Sequence, residues 1–222
     1  MRIAVLMTNT DESDFSNSWP KDGEKFPAMM RRVRPEWEYV VYSVKDGVFP
    51  EVLTGIEGVL ITGSPHSVNS DAPWVERLFA LIREIYAAGL PMFGACFGHQ
   101  IIAEAFGGKA EAYKGGWGVG LQRYDIVGQP RFIADAPESF AISAMHRYQV
   151  TEKPDNASLF AASDFCPYAG LVYGNNILTL QAHPEFNLQY EEALLTMRKG
   201  ITIPDDTADV GLATLHQNGA AT

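Results

Sequence analysis

The chain has 222 residues, of which 46% are hydrophobic and 20% charged, a composition typical of a folded globular protein. Its formal net charge of -10 argues against broad binding to the phosphate backbone of a nucleic acid, which needs clustered basic side chains. No stretch reaches the roughly 18 apolar residues that a membrane span requires. We therefore expect one domain over residues 1–222, with no nucleic-acid and no membrane partner.

The N-terminus and the cysteine content both favour a cytoplasmic protein. The opening stretch MRIAVLMTNT has an apolar run too short for a signal peptide and is typical of a first strand. The two cysteines, Cys96 and Cys166, lie in different contexts, and a secreted disulfide scaffold would carry more of them. We expect Cys166 to be a packed structural thiol.

The first hundred residues alternate between short β-branched runs and helical patterns. We predict strands over 3–7, 39–44, 58–62 and 90–95, and a helix over 72–88 with Asp71 as its N-cap, Pro73 in its first turn and Gly89 as its stop. Such alternation predicts βαβ units around a parallel sheet. The cluster Arg31, Arg32 and Arg34 is expected to be a solvated helix face.

The second half changes to many short strands separated by Pro, Asp, Asn and Gly. We predict strands over 122–127, 158–162, 171–173 and 177–181, which should extend the sheet. A helix over 186–200 and a last helix over 206–216 follow, and the final residues, 218–222, are expected to fray.

The stretch GACFGHQ places Cys96 between two glycines, after an apolar run and before a predicted helix. Gly94, Cys96 and Gly98 fit the G-x-nucleophile-x-G elbow, in which the apex residue is strained and the flanking glycines let the backbone pass closely. The N-terminus of the following helix would lower the pKa of the thiol. On this motif alone, a buried small cysteine is an equally good interpretation.

A second segment, ITGSP, ends an apolar strand at the edge of the sheet where ligands of open α/β folds bind. It brings the N–H groups of Gly63 and Ser64 to that edge. Together with the N–H of Phe97 they could form an oxyanion hole. Taken alone, Gly-Ser-Pro is more often a simple turn.

A third segment, AHPEF, offers a base for the thiol. Pro184 disfavours a helical conformation at His183, so His183 and Glu185 should point the same way from an extended chain. Glu185 could then orient the imidazole, as a general base requires.

The other histidines are weaker candidates for the base. The helix should carry His99 away from the thiol, and the sequence offers no partner that would orient His66 or His216. His146 is better placed for substrate contact than for catalysis. No second pair of residues at metal-ligand spacing accompanies Cys96 and His99, so we predict no metal site and no cofactor.

Together, GACFGHQ, ITGSPHSV and AHPEF resemble the class I glutamine amidotransferase domain, in the order of that family and over most of the chain. The resemblance implies a three-layer, flavodoxin-like α/β fold with a mostly parallel sheet, helices on both faces and a nucleophile elbow. It also implies Cys96 as nucleophile, His183 as general base and acid, Glu185 as orienting carboxylate, and Gly63 and Phe97 as oxyanion donors.

The resemblance also implies a substrate-binding set, in which Gln100 buttresses the elbow beneath the substrate. The set comprises Ser64, Gln100, His146, Tyr148 and Gln149. Many members have His-x-Asp near the glutamine pocket, where this chain has HRYQV with Tyr148 in place of the acid. This departure leaves the chemistry unchanged but puts the exact substrate in doubt.

The implied reaction is hydrolysis of the γ-glutamyl amide of glutamine through a γ-glutamyl thioester, with ammonia passed to a synthase subunit as a partner. A stand-alone γ-glutamyl peptidase acting on γ-glutamyl peptides or conjugates is the alternative. A non-catalytic binding or regulatory module is the alternative from another class. PfpI-like proteases fit less well because they place histidine where this chain has Phe97. Dienelactone hydrolases order their triad differently.

Overall fold

The computed structural model describes residues 1–133 and 135–217, so the predicted fraying of 218–222 lies outside the described residues. The strands, in chain order, are β1 (Arg2–Met7), β2 (Glu38–Ser43), β3 (Gly58–Ile61), β4 (Met92–Ala95), β5 (Lys109–Ala112), β6 (Gly118–Ile126), β7 (Ser139–His146), β8 (Tyr148–Glu152), β9 (Ala157–Ala162), β10 (Gly170–Tyr173) and β11 (Ile177–Leu180). The helices are α1 (Asp14–Asn17), α2 (Asp22–Arg31), α3 (Pro73–Ala87), α4 (Phe97–Ala105), α5 (Leu188–Arg198) and α6 (Asp205–Gln217).

Nine of these strands form one mixed sheet in the order β2-β1-β3-β4-β11-β10-β9-β6-β7. The first five in this order are mutually parallel, and the other four continue the sheet with antiparallel pairing. The prediction that the second half extends the sheet is therefore confirmed. Strands β5 and β8 pair separately as a small antiparallel ribbon.

Apolar side chains on successive residues of the central strands alternate between two cores. Leu6 and Ile61 pack against α3 and α4 on one face of the sheet. Val5 and Leu60 pack with Phe26 of α2 on the other. This period of two, with helices on both faces, is the reason these strands are hydrophobic throughout. The predicted three-layer α/β fold is confirmed.

Helix α3 shows which local signals were correct. It ends as predicted, with Gly89 in the left-handed region at a φ of 69°. The predicted N-cap is wrong, because Ala72 occupies that position without a side-chain hydrogen bond and Pro73 is already helical. The arginine cluster is only partly on a helix, since α2 ends at Arg31 and the two arginines that follow lie beyond it.

The fold brings the three sequence segments together at one edge of the sheet. Gly63, Cys96 and His183 lie within three residues of the carboxyl ends of β3, β4 and β11, which are neighbours in the sheet. This is the edge where open α/β sheets place their ligand sites. In the described part of the chain, no helix has the length and hydrophobicity to cross a membrane.

Candidate active site

Cys96 forms the apex of a sharp turn from β4 into α4. Its φ of 51° and ψ of -103° lie in a region that side-chain-bearing residues rarely adopt and that costs about 1–3 kcal/mol. A Cβ at Gly94 would lie 2.7 Å from the backbone of Gly98, and one at Gly98 would lie 2.4 Å from the carbonyl oxygen of Ile61. The two glycines are therefore required by close packing, and the predicted elbow geometry is present.

His183 lies beside this elbow and is held from three sides. Its Nδ1 is 2.7 Å from Oε1 of Glu185, whose carboxylate has no exposed surface. Its ring stacks on Phe186, with centroids 4.1 Å apart and planes at 12°. Its backbone N–H donates to the carbonyl of Ser143 at 2.8 Å. The imidazole is thus fixed in orientation, and its Nε2 is left for another partner.

Burial and charge act on the His183 imidazole in opposite directions. Burial lowers its pKa, but the negative charges of Glu185 and Cys96, and hydrogen bonds to both side chains, raise the pKa well above its usual value of 6.5. The Cys96 sulfur is therefore close enough to interact directly with the ring. The arrangement favours the protonated form of the His183 imidazole.

Gly63 and Phe97, the two predicted oxyanion donors, are both next to Cys96. A Cβ at Gly63 would lie 2.8 Å from Cε1 of His183 and 3.6 Å from Cβ of Cys96, so only glycine fits this position. Phe97 is the first residue of α4, where helical N–H groups have no partner within the helix. Within the described residues neither N–H has an acceptor, and both could bind an oxyanion.

Two glutamines, Gln100 and Gln181, contact each other, and Gln181, which no sequence motif identifies, contacts the thiol. Nε2 of Gln181 lies 3.6 Å from Sγ of Cys96, within hydrogen-bond range for sulfur. Nε2 of Gln100 donates to Oε1 of Gln181 at 3.2 Å and to the carbonyl of Tyr148 at 2.8 Å. Gln181 is fully buried. Its position two residues before His183 on an extended segment is the signal that could have identified it.

A cleft of about 300 Å³ opens above these residues, lined at its base by Gly63, Cys96 and His183. Of the predicted substrate-binding set, Ser64, Gln100, His146 and Tyr148 line it. Gln149 does not. Because successive strand residues face opposite sides, its side chain points away from Tyr148's and donates to the carbonyl of Phe165 at 3.0 Å.

Three of the other histidines have hydrogen-bond or ion-pair partners. His99 is fully buried, with Nδ1 2.7 Å from the hydroxyl of Thr179. The expectation that His66 and His216 lack partners is wrong. Nε2 of His66, which lines the cleft, is 2.6 Å from the hydroxyl of Ser70, and His216 lies 3.4 Å from Glu192. Ser70 lies four residues after His66, and Glu192 belongs to α5, whereas His216 belongs to α6. Neither partner is next to its histidine in the sequence, so the sequence does not indicate the pairing.

His146 is buried at the cleft wall. Burial, together with the charge of His183, lowers its pKa to about 3, so the ring stays neutral. Cys166 is fully buried, which raises the pKa of its thiol to about 12 and keeps it unreactive. Among the described residues, no three His, Cys, Asp or Glu side chains converge to hold a metal ion.

Comparison with known proteins gives the family. A family model described as glutamine amidotransferase class-I matches residues 30–202. The chain belongs to the class I glutamine amidotransferase family. The resemblance seen in the three sequence segments is thereby confirmed.

Relatives of this amidotransferase-family chain carry two kinds of name. Gamma-glutamyl peptidase 3 of Arabidopsis thaliana is 28% identical over 194 residues, which cover 84% of this chain and 77% of the relative. A glutamine-hydrolyzing GMP synthase of Streptococcus uberis is 32% identical over 131 residues, covering 58% of this chain and 24% of the synthase. A solved glutamine amidotransferase of Thermotoga maritima has the same fold, with a TM-score of 0.78 at 19% identity, covering 98% and 90% of the two chains.

Proposed function

We propose that the protein hydrolyses γ-glutamyl amides, with Cys96 as nucleophile, His183 as general base and acid, and Glu185 as the carboxylate that orients His183. The observation that carries this proposal is the contact of 2.7 Å between Nδ1 of His183 and a fully buried Glu185, beside a cysteine at a strained elbow. A thiol, a base and an orienting acceptor in one line of contacts are the requirements for nucleophilic catalysis.

The first half of the reaction forms a thioester. The Cys96 thiolate attacks the δ-carbon of the γ-glutamyl group, and the carbonyl oxygen becomes an oxyanion that accepts hydrogen bonds from the N–H groups of Gly63 and Phe97. As the tetrahedral intermediate collapses, the C–N bond breaks and Nε2 of His183 gives its proton to the departing amine. Loss of one oxyanion donor typically costs about 10²–10³ in rate.

The second half releases glutamate. His183, now neutral, takes a proton from a water molecule whose oxygen attacks the thioester carbon. The C–S bond breaks, Cys96 leaves as the thiolate, and the imidazolium is restored. Every proton in this cycle passes through His183. The buried Glu185 carboxylate stabilises the protonated ring, which is the proton donor in the first half-reaction and is formed again in the second.

Two versions of this function differ in which amine leaves the γ-glutamyl group. In the first, the substrate is glutamine and the ammonia is passed to a synthase subunit, as the name of the Streptococcus uberis relative suggests. In the second, the protein is a stand-alone γ-glutamyl peptidase. The name of the Arabidopsis thaliana relative, with its broad coverage, favours this version, and so does Tyr148 in place of an acid at the cleft.

We also propose a cytoplasmic location, because both cysteines are free thiols.

The function is tested by measuring ammonia from glutamine and amine from γ-glutamyl dipeptides with the wild-type protein, Cys96→Ala and Cys166→Ala. We expect Cys96→Ala to abolish turnover of every substrate that the wild type accepts and Cys166→Ala to retain it. Turnover that survives Cys96→Ala would refute the mechanism. A wild type silent on all substrates would instead favour a non-catalytic module.

A further inference from the structure

One wall of the cleft runs away from His183 along a single face of α5. Tyr190, Leu194 and Arg198 line the cleft at a spacing of four residues, which places them in a row on one side of α5. Phe186, which precedes the helix, also lines the cleft and extends this row toward His183. The row begins at Phe186, which stacks on the imidazole, and continues through Tyr190, whose ring lies 4.7 Å from Phe186. A group leaving the imidazole along this wall would therefore meet Arg198 last.

A side cavity adjoins the same end of the cleft. This side cavity has a volume of about 130 Å³ and shares the lining residues Asn9, Asp11 and Asp22 with the cleft. A molecule the size of ammonia needs only about 15 Å³. The extension is thus far larger than release of ammonia requires.

The charges at this end are unevenly matched. Lys25 is paired with Asp22 at 3.2 Å. Burial raises the pKa of the Asp11 carboxyl, but a hydrogen bond from the N–H of Ser13 at 3.0 Å lowers it, and the charges of Arg198 and Lys21 lower it further.

Among residues 1–133 and 135–217, neither of those two cations contacts a carboxylate. The guanidinium of Arg198 forms no hydrogen bond or ion pair with any described residue. Nζ of Lys21 donates only to the neutral oxygens of Ser16 and Asn17, at 3.2 and 2.7 Å. Four carboxylates and four cations line this end, namely Asp11, Glu12, Asp22, Asp46, Lys21, Lys25, Lys45 and Arg198, so it carries no net charge. Because Glu12 and Asp46 both contact Lys45, the pairing is uneven, and Arg198 and Lys21 have no carboxylate in ion-pair contact among the described residues. A guanidinium without a partner in a partly buried cleft is suited to bind a carboxylate through two hydrogen bonds.

The length of the wall sets the size of that ligand. Tyr190 and Arg198 are about 12 Å apart along the helix at about 1.5 Å per residue. The arginine side chain leans back toward the helix N-terminus and shortens the path from His183 to on the order of 10 Å. An extended peptide spans about 3.3–3.6 Å per residue, so two or three residues cover the gap.

We propose that this end of the cleft is a subsite for the leaving amine, and that Arg198, assisted by Lys21, binds the C-terminal carboxylate of a short peptide released from a γ-glutamyl group. The inference rests on the proposed function and deepens it by naming the leaving group. Its chemistry is the hydrolysis already described: the peptide departs with its α-amino nitrogen protonated by His183, and water supplies the atoms of the new glutamate carboxylate.

The test compares γ-glutamyl-alanyl-glycine with its C-terminal amide as substrates. For the wild type we expect kcat/KM at least tenfold higher for the free carboxylate, mainly through KM. Arg198→Met should remove most of this preference. Arg123→Met, an exposed arginine on β6, is the matched control and should keep it. γ-Glutamyl-alanine, whose carboxylate falls short of Arg198, should show a smaller effect of Arg198→Met.

A wild type without preference for the carboxylate, or a preference that Arg198→Met leaves intact, would overturn the inference. Calorimetric binding of both peptides to Cys96→Ala separates this result from failure of the proposed function. If the wild type hydrolyses no γ-glutamyl substrate but Cys96→Ala binds the free carboxylate tenfold more tightly, the subsite stands and the reaction does not. Equal binding of the two peptides would refute the subsite.

Discussion

Replacing Glu185 with glutamine removes the charge behind the imidazole while keeping the shape of the side chain. In the wild type, burial lowers the pKa of His183, and the carboxylate 2.7 Å away is the largest influence that raises it. A hydrogen bond to a charged group contributes about 1.5–3 kcal/mol, which corresponds to a factor of roughly 10–150. In Glu185→Gln the amide can also donate to Nδ1 and hold the proton on Nε2, where the ring cannot accept one from Cys96. In a serine protease triad the corresponding change costs about 10⁴.

We therefore expect Glu185→Gln to lower kcat/KM by about 10²–10⁴. The sign of the accompanying pH effect follows from the raised pKa of His183: the imidazolium persists in the wild type until the pH rises through that pKa, and in the variant it is lost at lower pH. The second assay is the pH dependence of alkylation of Cys96 by iodoacetamide. Its profile should shift in the variant.

The matched control is Glu192→Gln, which removes an exposed carboxylate from α5 and should change kcat/KM by less than twofold. A loss of less than tenfold in Glu185→Gln, together with an unchanged alkylation profile, would refute the claim that this carboxylate sets the state of the imidazole.

Three further outcomes are expected. Gly98→Ala should lower the free energy of unfolding in urea by about 1–3 kcal/mol, because its methyl group would lie 2.4 Å from a carbonyl oxygen of β3; an unchanged midpoint would contradict this packing. Gln181→Leu should slow alkylation of the elbow thiol about tenfold at neutral pH, whereas Gln149→Leu, another buried amide, should not; equal effects would indicate a structural role alone. Burial lowers the pKa of His99 and His146 from 6.5 to about 3, so only the unfolded chain takes up these protons as the pH falls below 6.5. The free energy of unfolding should then fall by up to about 1.4 kcal/mol per pH unit for each, and His99→Gln should show a shallower slope between pH 7 and 5.

Much of the fold was predictable because its signals are local. The buried central strands are uniformly apolar, and the stop of α3 at Gly89 is fixed by the left-handed conformation that glycine readily adopts. Strands β5, β7 and β8 were not predicted. Fewer than half of the residues of β5 and of β8 are buried, so neither segment shows a clear apolar pattern. These two strands are stabilised by pairing with each other across a long distance in sequence.

The candidate site likewise has residues that local sequence predicts and residues that only the fold brings together. His183 and Glu185 are two residues apart, so an extended chain already places their side chains on one side. Gln181 and Arg198 are brought to the cleft by the sheet and by α5, over distances in sequence that no short motif spans. Gln149 was assigned to the cleft through its place in HRYQV, but strand alternation directs its side chain elsewhere.

The most direct test of the account is to trap the covalent intermediate. The protein is mixed with a γ-glutamyl substrate, quenched in acid during turnover, digested and examined by mass spectrometry. We predict one γ-glutamyl group attached to the peptide that contains Cys96 and none on the peptide that contains Cys166, which is fully buried. Turnover by the wild type with the γ-glutamyl group attached to a residue other than Cys96, or to none at quench times that span the first turnover, would contradict the account.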